Sequence, residues 1–549
     1  MSNQINSLQK KHKTASFLQY KYFFVALAAI ALFICMTGPQ LGQPYGGFHS
    51  TNETFFSSVA RNYQSHSLLD PTNHHGVTDF TLPPLLSYLV YFVFKLFGEG
   101  ELQARIVVIV FSCFLIMFTY LLARELYSPQ AGAIAALLVA STPMITLVGR
   151  NLQTDPVYLS LTIGSLWLFF RADRKSSPVQ MLLAGILFGF ALFTKQFPVL
   201  FIPALLLKTY NGLKSKRHSW KLYAAFLVGP LAIPIPYFLY QIIAHANTFF
   251  SVQQKVHFTK FKVPDMLTIS RLLREIYFGF SMIWTPVFAG GAIWFALRRK
   301  QEDLCLLAVI VTLLLFNAFF YHHSYYLMGL IPLLAIAAGA MLWYFFRRKI
   351  IGGLLVLIPI GVFLCFSLLG ANKYNWLYYW QVCSVIKEVD PRATILKPKG
   401  DSSSPILLYY SPHLNIRDLE AVKHDKKTGK LLLNDPHYRC FFITSATITD
   451  RKNMVVVEHF RESWIPVAFG IGLLQEPENV NFFRAKNVSL SKVGPPWQFG
   501  LHSMPEKLIS ATVILPPDMD VYRIRQPGNK TSYQVKDREG KKRMDFVSR

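Results

Sequence analysis

The chain is short of charge, short of acid and short of cysteine. Only 16% of its 549 residues are Asp, Glu, Lys or Arg, whereas 52% are hydrophobic and 15% aromatic. With several apolar runs near or above bilayer-crossing length, this balance excludes a soluble enzyme and reads as a polytopic membrane protein. Acid is scarcer than base: 30 Asp and Glu against 56 Lys and Arg give a net charge of +26. In a soluble chain that excess would suggest nucleic acid. Here much of the Lys and Arg lies between apolar runs, where it sets topology and meets anionic lipid, so no nucleic-acid partner is expected. The six cysteines show no metal-ligand spacing. Cys35, Cys113, Cys305 and Cys365 lie in apolar segments as core fillers, while Cys383 and Cys440 could pair only in an oxidising compartment. A cleavage site is also missing. Phe23–Thr37 has the length of a signal h-region, but the polar, basic Met1–Lys21 before it is long and no small-residue site follows.

What is present is a series of about eleven candidate spans. They are Phe23–Thr37, Arg105–Ala123, Gly132–Val148, Pro156–Phe170, Gln180–Phe193, Pro198–Leu207, Tyr223–Ile242, Phe278–Leu297, Leu304–Phe320, Tyr326–Phe345 and Ile350–Leu369. Pro83–Phe97 is apolar too, but it is short, opens on Pro83-Pro84 and carries Lys95. Charge decides its place. With it left out of the count, Lys10, Lys11, Lys13, Lys21, Arg124, Arg171, Arg174, Lys175, Lys214, Lys216, Arg217, Arg298, Arg299, Lys300, Arg347, Arg348 and Lys349 share one face. Counting it as a span would put all but the first group on the other face, against the positive-inside rule. Residues 39–104 therefore form one long non-cytoplasmic loop, and Pro83–Phe97 is an interfacial or re-entrant helix within it.

Within that loop GGFHSTNETFFSSVARNY predicts a membrane-lying amphipathic helix with Thr51 or Asn52 as its cap and Glu53 at its start. The same topology gathers Asp79, Arg150, Asp155, Lys195, the stretch Lys255–Lys262 and the cluster His322-His323-Ser324-Tyr325-Tyr326 on the non-cytoplasmic side. Each has a bland alternative. Asp155 would serve as a helix cap, Lys195 as a snorkelling side chain, and His322 and His323 as interfacial residues. Their convergence on one face is what points to a site.

The order of these features resembles the C-type glycosyltransferases of the protein O-mannosyltransferase group, which includes the lipid A aminoarabinose transferase. The resemblance rests on HSTNETFFSSVARNY, LPPLLSYLVYFVFKLFG, GRNLQTDPVYLSLT, FGFALFTKQFPVLFIPALLL and HHSYYLMGLIPLLAIAAG in that order, over roughly residues 20 to 345. It implies a multi-pass enzyme of a bacterial inner membrane that transfers a sugar, with inversion, from a polyprenyl-phosphate donor. The acceptor, at the outer face, would be lipid A or another glycolipid, a polysaccharide or a protein. The chemistry needs a carboxylate to deprotonate the acceptor and cations to stabilise the leaving phosphate. Asp155 and Glu53 are the expected catalytic carboxylates. His49, Asn52, Asp79, Lys195, Lys255, Lys260, His322, His323, Tyr325 and Tyr326 are the expected substrate-binding residues. No cofactor is required by the resemblance, although the acidic residues could hold a divalent cation. The chain departs from the family at two places: Asn52-Glu53 stands where the family has Asp-Glu, and Leu82-Pro83-Pro84 where it has Lys-Pro-Pro. A catalytically silent relative that binds lipid-linked sugar is the alternative. A transporter is disfavoured because no paired broken-helix repeat is visible.

Two domains are expected. Residues 1–370 form the membrane part, and residues 371–549 a non-cytoplasmic, periplasmic or extracellular α/β domain. In the latter ILLYYS, CFFITSA, NMVVVEHF and ATVILPP read as strands, and the basic stretch Gln526–Arg549 as mobile.

Overall fold

The computed structural model describes residues 21–346, apart from short stretches at 39–40, 43–44, 46–49, 74–77, 217, 258–262, 265–268, 270–271, 274–275, 277–278, 281–283 and 321–323. Beyond these it describes the strands named below and residues 408–410. The chain divides into two compact units. Residues 1–43, 56–372 and 469–471 make the first, and residues 44–55, 373–468 and 472–549 the second.

The first unit is helical. In chain order it contains α1 (Lys21–Thr37), most of α2 (Ser50–Asn62), α3 (Leu85–Phe97), α4 (Glu101–Leu126), α5 (Pro129–Ser141), α6 (Pro143–Val148), α7 (Thr154–Lys175) and α8 (Pro178–Leu192). A short 3-10 turn, Phe197–Phe201, leads to α9 (Ile202–Lys214), α10 (Trp220–Ala232), α11 (Pro234–His257), α12 (Trp284–Arg298), α13 (Gln301–Phe319) and α14 (Leu330–Phe346). Local sequence sets several of these starts. Ser128 and Ser177 accept the N–H groups of Ala131 and Gln180, and each is followed by a proline that needs no intrahelical donor. Among the described residues, four helical stretches are long and apolar enough to cross a membrane: Glu101–Leu126, Trp220–Ser251, Gln301–Phe319 and Tyr325–Phe346. Other expected spans are present as shorter or divided helices. Gly132–Val148 breaks at Pro143, and Pro198–Leu207 begins as a 3-10 turn around Pro198. Ile350–Leu369 lies outside the described residues.

The core is built on α7, which packs against α4 and α8, and on α14, which packs against α5 and α12. α3 has 13 residues, about 20 Å of helix, which is too short to cross a bilayer. Leu86, Val90 and Phe94 form its buried stripe, while Phe92, Leu96 and Phe97 are exposed on an apolar outer face. α2 begins at Ser50, so Thr51 and Asn52 lie inside its first turn and neither is the cap that the sequence suggested.

The second unit carries β1 (Thr394–Lys397), β2 (Asn415–Asp418), β3 (Cys440–Thr444), β4 (Met454–Glu462), β5 (Trp464–Val467), β6 (Ile471–Leu474), β7 (Glu478–Val480), β8 (Lys507–Ile514), β9 (Met519–Arg525), β10 (Thr531–Asp537) and β11 (Lys542–Ser548). Six of them form a mixed sheet in the order β2-β1-β3-β8-β4-β7, in which β1 runs parallel to β2 and β3 and the other neighbours are antiparallel. Three expected strands are found here, as β3, β4 and β8. The fourth is not, because Leu408–Tyr410 is helical. In the basic stretch, β9, β10 and β11 form an antiparallel meander with Tyr533 opposite Phe546 and Val535 opposite Met544. The alternation of Tyr533, Val535, Met544 and Phe546 outweighs net charge there. Pro44–Phe55, the head of the first loop, groups with this unit. The Tyr45 ring lies 5.2 Å from that of Tyr409, and the Tyr45 N–H donates to the Tyr410 hydroxyl.

α8 and α10 touch backbone to backbone. A Cβ on Gly229 would overlap the Gly185 carbonyl, and one on Gly185 the Phe226 carbonyl. Gly229→Val is therefore expected to cost about 1–3 kcal/mol, the usual scale of overpacking. Gly290→Ala, whose nearest neighbour is the flexible Met341 side chain at 3.5 Å, should be neutral or slightly stabilising. Thermal unfolding of both variants in detergent checks this; equal melting shifts would show that the helices separate easily.

Candidate functional site

Asp155 and Lys195 are brought together inside the first unit. Asp155 lies in the first turn of α7, where the helix N-terminus favours a carboxylate. Pro156 beside it costs the helix no hydrogen bond. Lys195 follows the last turn of α8, its N–H bonded to the Ala191 carbonyl, at the helix end that favours a cation. The Lys195 Nζ donates to both oxygens of Asp155 at 2.9 Å, and both side chains are buried.

Four rings surround the ammonium. Its distances to the ring centroids are 4.4 Å for Phe197, 4.8 Å for Tyr326, 5.1 Å for Tyr325 and 5.5 Å for Tyr158. The rings support one another, with Phe197 and Tyr326 4.8 Å apart edge to face and Phe316 5.0 Å from Phe197. Of the expected site residues, Asp155, Lys195, Tyr325 and Tyr326 thus share one cluster. Tyr158 and Phe197 belong to it as well and were missed. Their signal is position alone, since Tyr158 stands almost one turn after Asp155 and Phe197 two residues after Lys195.

The remaining expected residues are placed differently. Asp79 serves its own loop: Oδ1 accepts the Thr81 N–H at 2.9 Å, and Oδ2 the Asn73 amide at 3.4 Å. Asn52, partly exposed, and Glu53, buried, lie in the first turn of α2 within the second unit. Lys255 is in the backbone of α11. His49, Lys260, His322 and His323 lie outside the described residues. Among the described residues no group of three His, Cys, Asp or Glu side chains is placed to hold a metal ion.

A second polar cluster was not anticipated. Leu68, Leu69 and Asp70 of the first loop are each gripped by a side chain from a helix. Tyr88 of α3 donates to the Leu68 carbonyl, Gln241 of α11 to the Leu69 carbonyl at 2.8 Å, and His245 Nε2 meets Asp70 Oδ1 at 2.9 Å. Burial, and then the Asp70 charge, push the Tyr88 hydroxyl up to about 12, so it stays a donor at neutral pH.

The fold has known counterparts. The structure of ArnT from Cupriavidus metallidurans bound to undecaprenyl phosphate superposes with a TM-score of 0.54 at 16% identity, over 78% of this chain and 93% of that one. The oligosaccharyltransferase of Archaeoglobus fulgidus tethered to an acceptor peptide gives 0.53 at 11% identity, over 77% and 69%. The fold is the C-type glycosyltransferase fold. In sequence, residues 81–240 match the family described as dolichyl-phosphate-mannose-protein mannosyltransferase. Over 140 residues the chain is 27% identical to the undecaprenyl phosphate-alpha-4-amino-4-deoxy-L-arabinose arabinosyl transferase of Pseudomonas aeruginosa (strain UCBPP-PA14), covering 25% of this chain and 26% of that protein. The chain matches less than half the length of its curated relatives. The C-type fold and this sequence match overlap on α3 to α10, the stretch that carries Asp155 and Lys195.

A buried pair in apolar surroundings has a distinctive energetic signature. Removing Lys195 alone, as Lys195→Met, strands a buried carboxylate and is expected to cost about 3–5 kcal/mol. The double variant Asp155→Asn with Lys195→Met should lose much less than the sum of the two single changes. Additive losses in thermal unfolding would show that the two groups do not depend on each other.

Proposed function

We propose that this protein is a membrane glycosyltransferase that moves a sugar from a polyprenyl-phosphate donor to an acceptor hydroxyl at the outer face of a bacterial inner membrane, inverting the anomeric carbon. The observation that carries this reading is the buried Asp155–Lys195 pair, ringed by Tyr158, Phe197, Tyr325 and Tyr326 at the ends of two helices. The Lys/Arg asymmetry of the sequence supports a non-cytoplasmic position for those ends. The match to residues 81–240 and the undecaprenyl phosphate bound in the ArnT structure support the donor class.

In this reading the acceptor oxygen attacks the anomeric carbon, its proton passes to a carboxylate, and the bond from that carbon to the phosphate oxygen breaks. Asp155 is the leading candidate for the base, with Glu53 either the base or the group that orients it. Lys195 has two tasks. Without donor it neutralises Asp155; as a phosphate oxygen gains charge, the ammonium has a second anion to serve. Each step of Lys195 toward the phosphate leaves Asp155 less compensated in its apolar setting and therefore more basic. Lys255, Lys260, His322 and His323 would add to the phosphate clamp. Tyr325, Tyr326, Asp79, His49 and Asn52 would line the path of donor and acceptor.

Asn52 favours one second reading. It stands where the resembled family has an aspartate, and an amide cannot accept the proton, so a silent relative that binds lipid-linked sugar without turning it over would also keep the fold.

Asp155→Asn and Glu53→Gln separate the two. At least one should slow release of undecaprenyl phosphate from undecaprenyl-phosphate-linked sugar about 100-fold or more, the usual scale for loss of a general base. Unchanged turnover in both would remove the enzymatic role assigned to these residues. Orientation is tested by single cysteines at Ser65 and Ser402: an impermeant maleimide should label both in spheroplasts, and protection of both would reverse the topology.

A further inference from the structure

α11 bends where its sequence gives no reason to bend. His245 has φ −138° and ψ 33° inside the helix, and its neighbours are Ala244 and Ala246. Sharp helix kinks arise almost always at proline, at Gly/Ser pairs, at π-bulges or where a group inserts into the hydrogen-bond ladder. No proline or glycine lies near this one, so the cause has to come from outside the helix. What meets the helix at that residue is the first loop. His245 Nε2 lies 2.9 Å from Asp70 Oδ1, the Tyr240 hydroxyl donates to the same oxygen at 3.3 Å, and the Phe80 ring lies 5.1 Å from the imidazole.

Beyond the bend the described side chains are mostly exposed. From Ala246 to Ser251 every residue is exposed except Phe249, which is half-buried with its ring 6.4 Å from that of Phe238 on the same helix. Before the bend, Gln241 is fully buried and tied to Leu69. The part of α11 that is tied to the first loop thus ends at the residue that binds Asp70.

We propose that Asp70 and His245 form a latch between the first loop and α11 that sets the direction of residues 246–257, and that this positions the arm carrying Lys255 for the phosphate of a polyprenyl carrier. The second clause rests on the function proposed above; the first does not. Both residues act through the arm and are positioning residues.

The experiment uses the full-length protein in nanodiscs with spin labels at Ser67 and Ser251, both exposed. Wild type should give one narrow distance distribution, and His245→Ala and Asp70→Ala should each broaden or shift it. The exchange Asp70→His with His245→Asp should recover the narrow distribution, which a merely structural loss would not. If the alanine variants fail to fold, His245→Gln, which keeps a donor near Nε2, should hold the distance, and His245→Phe should lose it. In parallel, undecaprenyl phosphate is the binding probe, and its Kd should rise about 3–10-fold in the unlatched variants, the scale of one hydrogen bond. An unchanged distance in all single variants overturns the latch. A changed distance with an unchanged Kd overturns the positioning clause. Absence of undecaprenyl phosphate binding in wild type removes the donor reading and the positioning clause with it, while the distances still judge the latch.

Discussion

One carboxylate and one ammonium, both withdrawn from water, hold the end of α7 to the end of α8. The arrangement is stable because several weak preferences agree. Asp155 sits at a helix N-terminus, Lys195 at a helix C-terminus, and four ring faces lie around the cation. The pair is nevertheless a poor way to make a stable protein. Well-packed apolar residues of similar volume usually do as well or better, because two desolvated charges recover little more than they cost. A hydrophobic contact would have served packing alone. On the proposed reaction the charges of this pair have a further use, to accept a proton beside a leaving phosphate.

α7 repeats the device at its other end. Asp173 accepts the Tyr223 hydroxyl at 2.6 Å and pairs with Lys208 at 3.1 Å, again buried. Asp155 and Asp173 are 18 residues apart, about 27 Å along the helix, close to the thickness of a bilayer's hydrocarbon layer. α7 is thus a strut pinned by an Asp–Lys pair at each boundary, with only uncharged residues from Pro156 to Phe170 between them. Around the second boundary Asp303 gathers Arg298, the Tyr127 hydroxyl at 2.8 Å and the Lys300 N–H at 3.2 Å. These buried ion pairs all lie at helix ends of the first unit. The outer arm of α11 lies outside that scheme and depends on the first loop instead.

Much of this was legible in the sequence, and the reason is solvent. Apolar length, the Lys/Arg asymmetry and the Pro83-Pro84 break report how each segment meets lipid, so the helices and the special status of α3 could be read directly. The convergence of Asp155, Lys195, Tyr325 and Tyr326 was legible because topology forces them to one face. Their mutual geometry was not. Lys195 read as a snorkelling residue or a phosphate ligand, and nothing in FALFTKQFP reports that its partner is 40 residues earlier. The same limit hid Asp70 and His245, which are ordinary residues until a loop and a helix meet. In the second unit the charge of the last residues masked the alternation of Tyr533, Val535, Met544 and Phe546, which the antiparallel register makes plain.

Asn52 remains the sharpest departure from the resembled family, and the helix geometry limits how it can be compensated. α2 begins at Ser50, so Asn52 and Glu53 occupy successive positions about 100° apart around one turn. Glu53 does not stand in for an acid at position 52. On the proposed reaction the base is then a carboxylate whose own position suits the task, and Asp155 is the candidate that is buried against a cation. Lys195 holds both oxygens of Asp155, and on the proposed reaction an ammonium that turned to a donor phosphate would leave a buried carboxylate with less compensation and so more basic. On the proposed reaction, an acceptor hydroxyl arriving first would meet a neutralised carboxylate, and one arriving after the donor would meet an active base. The order of binding would then be a property of a single ion pair.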